Sequence, residues 1–116
     1  MLNGDNWLVR KPMPWRVARM KSRQLLSQEE IQASLASLSG WSAAEGKLSK
    51  TFAFSSYLAG IDFVRAVALA AEELDHHPDL HVTWRKVTLS VWTHSAGGLT
   101  ALDFEVARRA EQVVRS

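Results

Sequence analysis

The sequence predicts an α+β fold in which three helices cover one face of an antiparallel β-sheet. Three segments carry apolar residues at helical spacing, and each follows a serine or threonine suited to an N-cap. The stretches between them are short and are bounded by turn-forming residues, which is typical of strands. The order helix, hairpin, helix, strands, helix therefore favours helices gathered on one side of a sheet.

Length and composition indicate one soluble globular domain. The chain has 116 residues, of which 47% are apolar and 22% charged, an ordinary balance for such a domain. It contains no cysteine, which excludes disulfides and thiolate chemistry and is compatible with the cytoplasmic address that we expect. No apolar run approaches the ~20 residues needed to cross a bilayer, so we expect no membrane association.

The first 23 residues differ from the rest in charge. They hold six basic side chains and one acidic one, whereas residues 24–116 hold eight basic and eleven acidic ones. A basic leader of this kind could contact nucleic acid or a membrane. Termini are often unstructured, and translation starting at Met20 is a further alternative. We therefore expect residues 1–23 to be a disordered leader without direct nucleic acid binding, and residues 24–116 to form the domain.

A capping box marks the first helix. The Ser27 hydroxyl can accept from the backbone N–H of Glu30, whose carboxylate can reach back to Ser27. We expect this helix to end at Gly40, because glycine suits the position after a helix C-terminus. A turn at residues 44–47 then separates two short strands, of which the second covers residues 48–54.

The next helix is the longest and is apolar on two faces. It follows Ser56 and is predicted to run from Tyr57 to about Asp75. Two apolar stripes share it: Ile61, Val64, Ala68 and Ala71 form one, and Phe63, Val67, Ala70 and Leu74 form the other. A helix on the surface of a monomer needs only one such stripe, so the second predicts contact with another subunit. Burial of both faces within one subunit is the alternative.

Pro78 stops the long helix, because proline disfavours helical geometry in the residue before it. Strands are then predicted over residues 81–84 and 87–93. Residues of one parity in the second strand are predicted to share a buried face: Val87, Leu89 and Val91. The last helix begins at a capping box, Thr100 to Asp103, and its predicted buried residues are Phe104, Ala107, Ala110 and Val114.

All four histidines lie between the long helix and the last one. Three of them flank Pro78 and the fourth ends the second strand: His76, His77, His81 and His94. Histidine exchanges protons near neutral pH, because its unperturbed pKa is about 6.5. This clustering predicts one site, built from the end of a helix and the end of a strand.

Carboxylates accompany the histidines and favour acid–base chemistry. Glu72 and His76 are four residues apart and therefore share a helix face, while Asp75 and Asp79 lie nearby. A carboxylate bonded to one imidazole nitrogen fixes the tautomer of the ring. Imidazoles held in this way suit a reaction that moves two protons and expels water, each transfer contributing roughly 10²–10⁴-fold.

Other interpretations are open for each of these residues. Structural roles would be a helix-end cap for His81, a helix stop for His76 and His77, a core position for Trp41 and a helix cap for Asp103. A metal site is the sharper alternative, combining His94 with the histidines around Pro78 and suited to Zn²⁺ or Fe²⁺. Its spacing matches no zinc pattern known to us, so we predict that the site holds no metal.

Several spaced motifs agree at once across most of the chain. The central pattern is Glu72-x3-His76-His77-Pro78-x5-Trp84-x9-His94-x8-Asp103. Three flanking segments agree with it: Ser39-Gly40-Trp41, Phe52-Ala53-Phe54, and Thr93-His94 followed by Gly97-Gly98-Leu99-Thr100. From Leu26 to the C-terminus the chain resembles the pterin-4a-carbinolamine dehydratases, the family that includes the dimerization cofactor of a homeodomain transcription factor.

The resemblance implies a fold, a reaction and an assembly. The fold would contain a four-stranded antiparallel sheet. The reaction would be the cofactor-free dehydration of 4a-hydroxytetrahydrobiopterin to the quinonoid dihydropterin, in tetrahydrobiopterin recycling beside a pterin-dependent aromatic amino acid hydroxylase. The assembly would be a homodimer or homotetramer formed through the helix over residues 57–75.

The resemblance also implies roles for residues. His76 and His94 would donate protons to the leaving 4a-hydroxyl from its two sides, and His77 would bind the ring and help to remove the N5 proton. Substrate-binding or orienting roles would fall to five further residues, the last two as supports: Glu72, Asp75, Thr93, Trp41 and Asp103.

Two departures from the family and one alternative function are open. Leu80 stands where many relatives have tryptophan, which affects the aromatic wall of the pocket, and Trp92 replaces a smaller residue and could compensate. The alternative is an oligomeric protein-binding module or transcriptional cofactor of the same fold with little catalysis. Intact His76, His77 and His94 favour the enzyme, because a scaffold has no need of them.

Overall fold

The computed structural model describes residues 23–115, which form four strands and three α-helices. In chain order they are helix α1 (Gln28–Leu35), strand β1 (Ser42–Ala44), strand β2 (Lys47–Ala53), helix α2 (Tyr57–Leu74), strand β3 (Asp79–Val82), strand β4 (Lys86–Val91) and helix α3 (Ala101–Arg115). A 3₁₀ turn over His94–Ala96 separates β4 from α3. The leader predicted over residues 1–23 lies outside the described residues, apart from Arg23.

The four strands form one antiparallel sheet in the order β1–β2–β4–β3. Side chains of one parity in β2 and β4 belong to the buried core shared with the helices: Leu48, Phe52, Val87, Leu89 and Val91. The side chains of opposite parity in these two strands are polar except for Ala53, and the hydroxyl oxygens of Thr51 and Thr88 pair across the two strands at 2.8 Å. The predicted α+β fold, with a four-stranded sheet and three helices, is confirmed.

Helix α1 begins as predicted but ends earlier. The capping box forms: the Glu30 N–H donates to Ser27 Oγ at 3.1 Å, and the Ser27 N–H donates to Glu30 Oε1 at 2.8 Å. The prediction that this helix reaches Gly40 is wrong, because it ends at Leu35 and loosens into tighter turns. These turns bring the Leu38 side chain into the core, where it is buried.

Strand β3 begins and ends earlier than predicted. It starts at Asp79 instead of residue 81 and stops at Val82. The reason is a turn in which the Thr83 N–H donates to the Lys86 carbonyl at 2.9 Å. Trp84, predicted to end the strand, lies in this turn and is 73% exposed.

Two histidines lie in other local structures than predicted. His81 lies within β3 and is exposed, so its assignment as a helix-end cap is wrong. Strand β4 ends at Val91 instead of residue 93, and His94 opens the 3₁₀ turn instead of ending the strand. The chain bends at this point because the Thr93 N–H donates to the Gly98 carbonyl at 3.0 Å and closes a short loop.

The two apolar stripes of α2 have different surroundings. Phe63 and Val67 are buried in the core, and Ala71, which was predicted on the other stripe, is buried with them. The remaining residues of the other stripe, Ile61, Val64 and Ala68, line a shallow surface groove together with Leu69. These four residues are here called the outer face of α2. The described residues of the same subunit leave this outer face partly open.

Helix α3 packs against α2 and supplies the rest of the core. Its predicted buried residues Phe104, Ala107 and Ala110 are confirmed, and Leu102 and Val106 are buried as well. The prediction for Val114 is wrong, since it is 48% exposed in the last turn of the helix. Within residues 23–115, no helix combines the length and the apolar character needed to cross a membrane.

Candidate active site

The C-terminus of α2 turns sharply and presents two histidines. Asp75 adopts a left-handed conformation, with φ 51° and ψ 44°, directly after the helix. The His76 N–H reaches back to the Ala71 carbonyl at 3.1 Å, as in a Schellman-type cap. Aspartate tolerates this backbone conformation better than most residues other than glycine, and Pro78 disfavours a return to helix. The backbone direction after α2, and with it the position of His76 and His77, is therefore fixed by the helix cap.

His76 is buried and forms a short hydrogen bond with Asp103 in the first turn of α3. Its Nε2 lies 2.6 Å from Asp103 Oδ1, and the two residues are 8% and 0% exposed. The other carboxylate oxygen accepts from the Thr93 hydroxyl at 2.8 Å and from the Thr100 N–H at 2.9 Å. A carboxylate removed from water needs such donors, and they fix it so that one oxygen faces His76.

The second predicted capping box forms only in part. Asp103 Oδ2 accepts from the Thr100 N–H, as an N3 side chain does. The Thr100 hydroxyl pairs with the Thr93 hydroxyl at 2.8 Å, while the Asp103 N–H donates to the Thr100 carbonyl at 3.1 Å. The two threonines thus connect the end of β4 with the start of α3 and orient the carboxylate between them.

The contact with Asp103 decides which imidazole nitrogen of His76 is left for chemistry. A carboxylate accepts hydrogen bonds, so Nε2 of His76 is the nitrogen that carries the bonded hydrogen. Nδ1 is then the nitrogen that can accept or donate a proton to a bound compound. Because both partners are buried, the ring has little freedom to reorient.

His77 has its own carboxylate partner, Glu72. Nε2 of His77 lies 2.6 Å from Oε2 of Glu72. Glu72 and His76 were predicted to share a helix face, but the left-handed Asp75 interrupts the helical spacing between them. The His77 and Glu72 side chains are 55% and 74% exposed, so solvent screens this pair and it contributes little to stability.

His94 joins the other two histidines at a single cleft. The cleft has a volume of about 320 Å³ and is lined by Arg23, Asp75, His76, His77, Trp92, Thr93, His94 and Ser95. Its volume lies at the lower end of the range of about 300–1,000 Å³ found for small-molecule sites. Three imidazoles beside one such space can protonate and deprotonate a bound compound.

The predicted site residues divide into three groups. Five line the cleft: His76, His77, His94, Asp75 and Thr93. Glu72 and Asp103 do not line the cleft but form hydrogen bonds with His77 and His76, respectively. Trp41 is separate from the cleft lining, because it is buried in the core and its indole N–H donates to Glu111 at 2.8 Å.

Trp41 belongs to a polar cluster with Lys50 and Glu111. The Lys50 ammonium lies 2.6 Å from the same Glu111 oxygen that accepts from Trp41. Burial alone would raise the pKa of Glu111, but the hydrogen bonds from Lys50 and Trp41 and the nearby positive charges outweigh it and lower the pKa. This cluster ties β2 to α3 and gives Trp41 a structural role.

The geometry does not favour the metal alternative. Among residues 23–115, no three histidine, aspartate or glutamate side chains are arranged to hold a metal ion. His81 lies within β3 and does not line the cleft. Of the histidines at the cleft, His76 and His77 already have a carboxylate bonded to Nε2.

Three residues line the cleft that were not predicted as part of the site: Arg23, Trp92 and Ser95. Arg23 was assigned to the leader, and Trp92 was considered only as a departure from the family that could compensate for Leu80. Trp92 has the parity of His94, opposite to that of the buried Val91, and this signal could have placed it next to His94. The pairing of His76 with Asp103 has no such local signal.

The chain is similar in sequence to known proteins over most of its length. Residues 24–113 match the family described as Pterin 4 alpha carbinolamine dehydratase. A protein of Mycobacterium avium (strain 104), provisionally named pterin-4-alpha-carbinolamine dehydratase, is 47% identical over 92 residues, which cover 79% of this chain and 98% of the relative. A relative of the same provisional name from Roseiflexus castenholzii is 44% identical over 90 residues, covering 78% of this chain and 97% of the relative.

Two solved structures share the fold. A protein from Brucella melitensis described as a transcriptional coactivator/pterin dehydratase aligns with a TM-score of 0.73 and 31% identity, covering 76% of this chain and 96% of that one. A pterin dehydratase-like protein described as a RuBisCO assembly factor in the alpha-carboxysome aligns with a TM-score of 0.57 and 24% identity, covering 66% and 92%. This second likeness concerns the fold alone.

A small α+β domain with three histidines at one cleft resembles the pterin dehydratases. The sequence match over residues 24–113 identifies the family. The chain belongs to the pterin-4a-carbinolamine dehydratase family, which confirms the resemblance noted in its motifs.

Proposed function

We propose that this protein dehydrates a 4a-hydroxytetrahydropterin, forming the quinonoid dihydropterin and water. The convergence of His76, His77 and His94 on one cleft carries the proposal, together with the carboxylates bonded to the first two. Membership of the family supports a pterin as the ring that is bound. The volume of the cleft suits a compound of that size.

The reaction moves two protons and breaks one carbon–oxygen bond. The 4a-hydroxyl takes up a proton, the C4a–O bond breaks, and water leaves with the bonding electron pair. The N5 lone pair forms a double bond to C4a, and N5 then releases its proton. Imidazoles can supply the first proton and accept the second near neutral pH.

Each histidine takes one part of this work in the proposal. His76 and His94 protonate the leaving hydroxyl from its two sides, and each well-placed transfer contributes roughly 10²–10⁴-fold. The bond to Asp103 supports the role of His76, because it leaves Nδ1 as the reactive nitrogen. His77, held by Glu72 at the exposed rim, binds the ring and removes the N5 proton.

The proposed activity belongs to tetrahydrobiopterin recycling. A pterin-dependent aromatic amino acid hydroxylase would supply the carbinolamine, and a reductase acting on quinonoid dihydropterins would consume the product. The proposed reaction needs no metal and no cofactor, because the two proton transfers account for every bond that is formed or broken. We expect the protein to act in the cytoplasm.

A direct assay tests the proposal. Purified protein is mixed with the two 4a-hydroxytetrahydropterin stereoisomers, and formation of the quinonoid product is followed by absorbance. Alanine at His76 or at His94 should mainly slow one stereoisomer each, and the double variant should lose far more than either single variant. His77→Ala should weaken pterin binding as well as turnover.

His81→Ala is the matched control, since this fourth histidine is exposed on β3 outside the cleft. It should turn over both isomers at the wild-type rate, and EDTA should leave every rate unchanged. A His76→Ala/His94→Ala variant with near wild-type turnover would refute the acid–base assignment. Activity that EDTA abolishes would favour the metal alternative.

The outer face of α2 supports a second candidate function, that of an oligomeric protein-binding module. Leu69 is 56% exposed, and the groove that it lines is almost entirely apolar. We infer that this face joins subunits into a homodimer or homotetramer. Wild-type protein that assembles through α2 and shows no carbinolamine turnover would favour the module over the enzyme.

A further inference from the structure

The three histidines at the cleft are held in different ways. His76 and His77 each bond to a carboxylate at 2.6 Å. His94 is exposed, and within the described part of the chain its side chain has no carboxylate partner. Its neighbour is the indole of Trp92, with ring centroids 4.5 Å apart and planes tilted by 47°.

Trp92 is itself held on the sheet. It directly follows β4, and its partly buried ring packs against the core cluster. The ammonium of Lys47, at the start of β2, lies 4.5 Å from the ring centroid of Trp92, a cation–π distance. The indole is therefore fixed by the neighbouring strand and not by His94 alone.

An indole in this position can orient the imidazole of His94, as the carboxylates orient those of the other two histidines. Aromatic rings at such separations attract each other in tilted arrangements, which restricts the directions that the imidazole can take. When the imidazole is protonated, the face of a tryptophan also attracts its positive charge. Both effects keep His94 at the cleft in a geometry suited to proton donation.

We propose that Trp92 is a positioning residue that holds His94 for catalysis. This inference rests on the proposed dehydration, and it gives His94 a support that differs in kind from Asp103 and Glu72. Trp92 acts through the imidazole of His94. The contact of Trp92 with Lys47 makes the orientation of His94 dependent on the pairing of β2 with β4.

Turnover by combined variants tests whether Trp92 acts through His94. Trp92→Ala should lower kcat by about 10- to 100-fold, comparable to the about 10²-fold cost of a misplacement of about 1 Å, with little change in KM. Trp92→Phe keeps an aromatic ring and should recover most of the loss. In a His94→Ala background Trp92→Ala should cause no further loss, whereas in a His76→Ala background the two losses should multiply.

Trp84→Ala provides the matched control. Trp84 is also a tryptophan beside a cation, with the Arg85 guanidinium 5.1 Å from its ring, but it lies in the turn after β3 and not at the cleft. It should leave kcat unchanged. Equal losses from Trp92→Ala in the His94→Ala and His76→Ala backgrounds would overturn the proposal and indicate a general structural effect, as would a loss that Trp92→Phe does not recover.

An NMR measurement separates this inference from the proposed function, because it needs no turnover. The ring current of the indole should shift the ring protons of His94 in the wild type, because the two ring centroids are 4.5 Å apart. Trp92→Ala should remove this shift and leave the His76 and His77 signals in place, while Trp84→Ala should change none of them. His94 signals that are the same in Trp92→Ala and wild type would refute the contact, whether or not the protein is a dehydratase.

Discussion

Asp103 and His76 are joined by a 2.6 Å hydrogen bond although they lie 27 residues apart in the chain. The bond connects the first turn of α3 with the residue after the α2 cap. Because both side chains are buried, solvent and salt weaken this contact much less than the exposed pair of His77 and Glu72. The buried pair is therefore better shielded from solvent than the pair of His77 and Glu72.

Asp103→Asn should lower stability and turnover together. The amide keeps one oxygen but turns an NH₂ group towards donors that now bond to a carboxylate, and each buried donor left unpaired costs about 1–3 kcal/mol. The loss in turnover should lie within the roughly 10²–10⁴-fold that a positioned acid contributes. Urea unfolding and initial rates measure the two effects. A loss of turnover that adds to that of His76→Ala would contradict action through His76.

Asp75→Ala should destabilise the protein through the backbone. The left-handed conformation of Asp75, with φ 51°, costs an ordinary L-residue roughly 1–2 kcal/mol. Asp75→Asn and Asp75→Gly should both stay near the wild-type free energy of unfolding, because both residues tolerate this conformation. Chemical unfolding of the three variants gives the comparison. Should Asn and Ala prove equally unstable, the carboxylate and not the backbone would be responsible.

Glu111→Gln should remove stability at neutral pH but not in acid. The folded state lowers the pKa of Glu111 below its ordinary value of 4.5, since the bonds from Lys50 and Trp41 outweigh burial. A lowered carboxyl pKa stabilises the fold above the unfolded pKa, and this contribution is lost as the pH falls through the folded pKa. The variant should lose about 1 kcal/mol at pH 7. Unfolding curves at several pH values should converge below the folded pKa, and a constant difference would show that the charge is irrelevant.

Ala68→Glu should break the assembly proposed for the outer face of α2. Ala68 is exposed on α2, so the isolated subunit should tolerate glutamate, whereas a desolvated subunit contact should not accept its charge. Sedimentation velocity should show smaller particles than the wild type. Val114→Glu is the matched control, because it adds the same charge at an exposed apolar position on α3. Unchanged sedimentation of Ala68→Glu would place the contact elsewhere.

Local patterns in the sequence were sufficient for most of the fold. The capping box at Ser27 and the alternation of Val87, Leu89 and Val91 predicted the start of α1 and the buried face of β4 correctly, because each depends on neighbouring residues alone. Boundaries were less accurate where tertiary contacts compete with local preference. The burial of Leu38 ends α1 early, and the turn around Trp84 shortens β3.

The partners of the histidines were not predictable in the same way. Helical spacing predicted Glu72 and His76 on one helix face. The left-handed Asp75 interrupts this spacing, and the Glu72 carboxylate bonds to His77 instead. Nothing local indicates that Asp103, which reads as an ordinary helix cap, reaches His76 across the core. Such a pair depends on how α2 and α3 pack against each other. A single sequence indicates this packing only if it resembles a family whose fold is known.

The pairing of Asp103 with His76 would make the proposed reaction sensitive to the packing of α3. The N-terminus of α3 supplies the carboxylate, whereas the rest of α3 is held by core residues such as Ala107 and by the Glu111 cluster, none of which lines the cleft. A shift of the first turn of α3 would therefore move the Asp103 carboxylate away from the His76 imidazole. The rate of turnover would then depend on how closely α3 packs against the rest of the domain. A ligand or subunit that binds α3 could change this rate without entering the cleft.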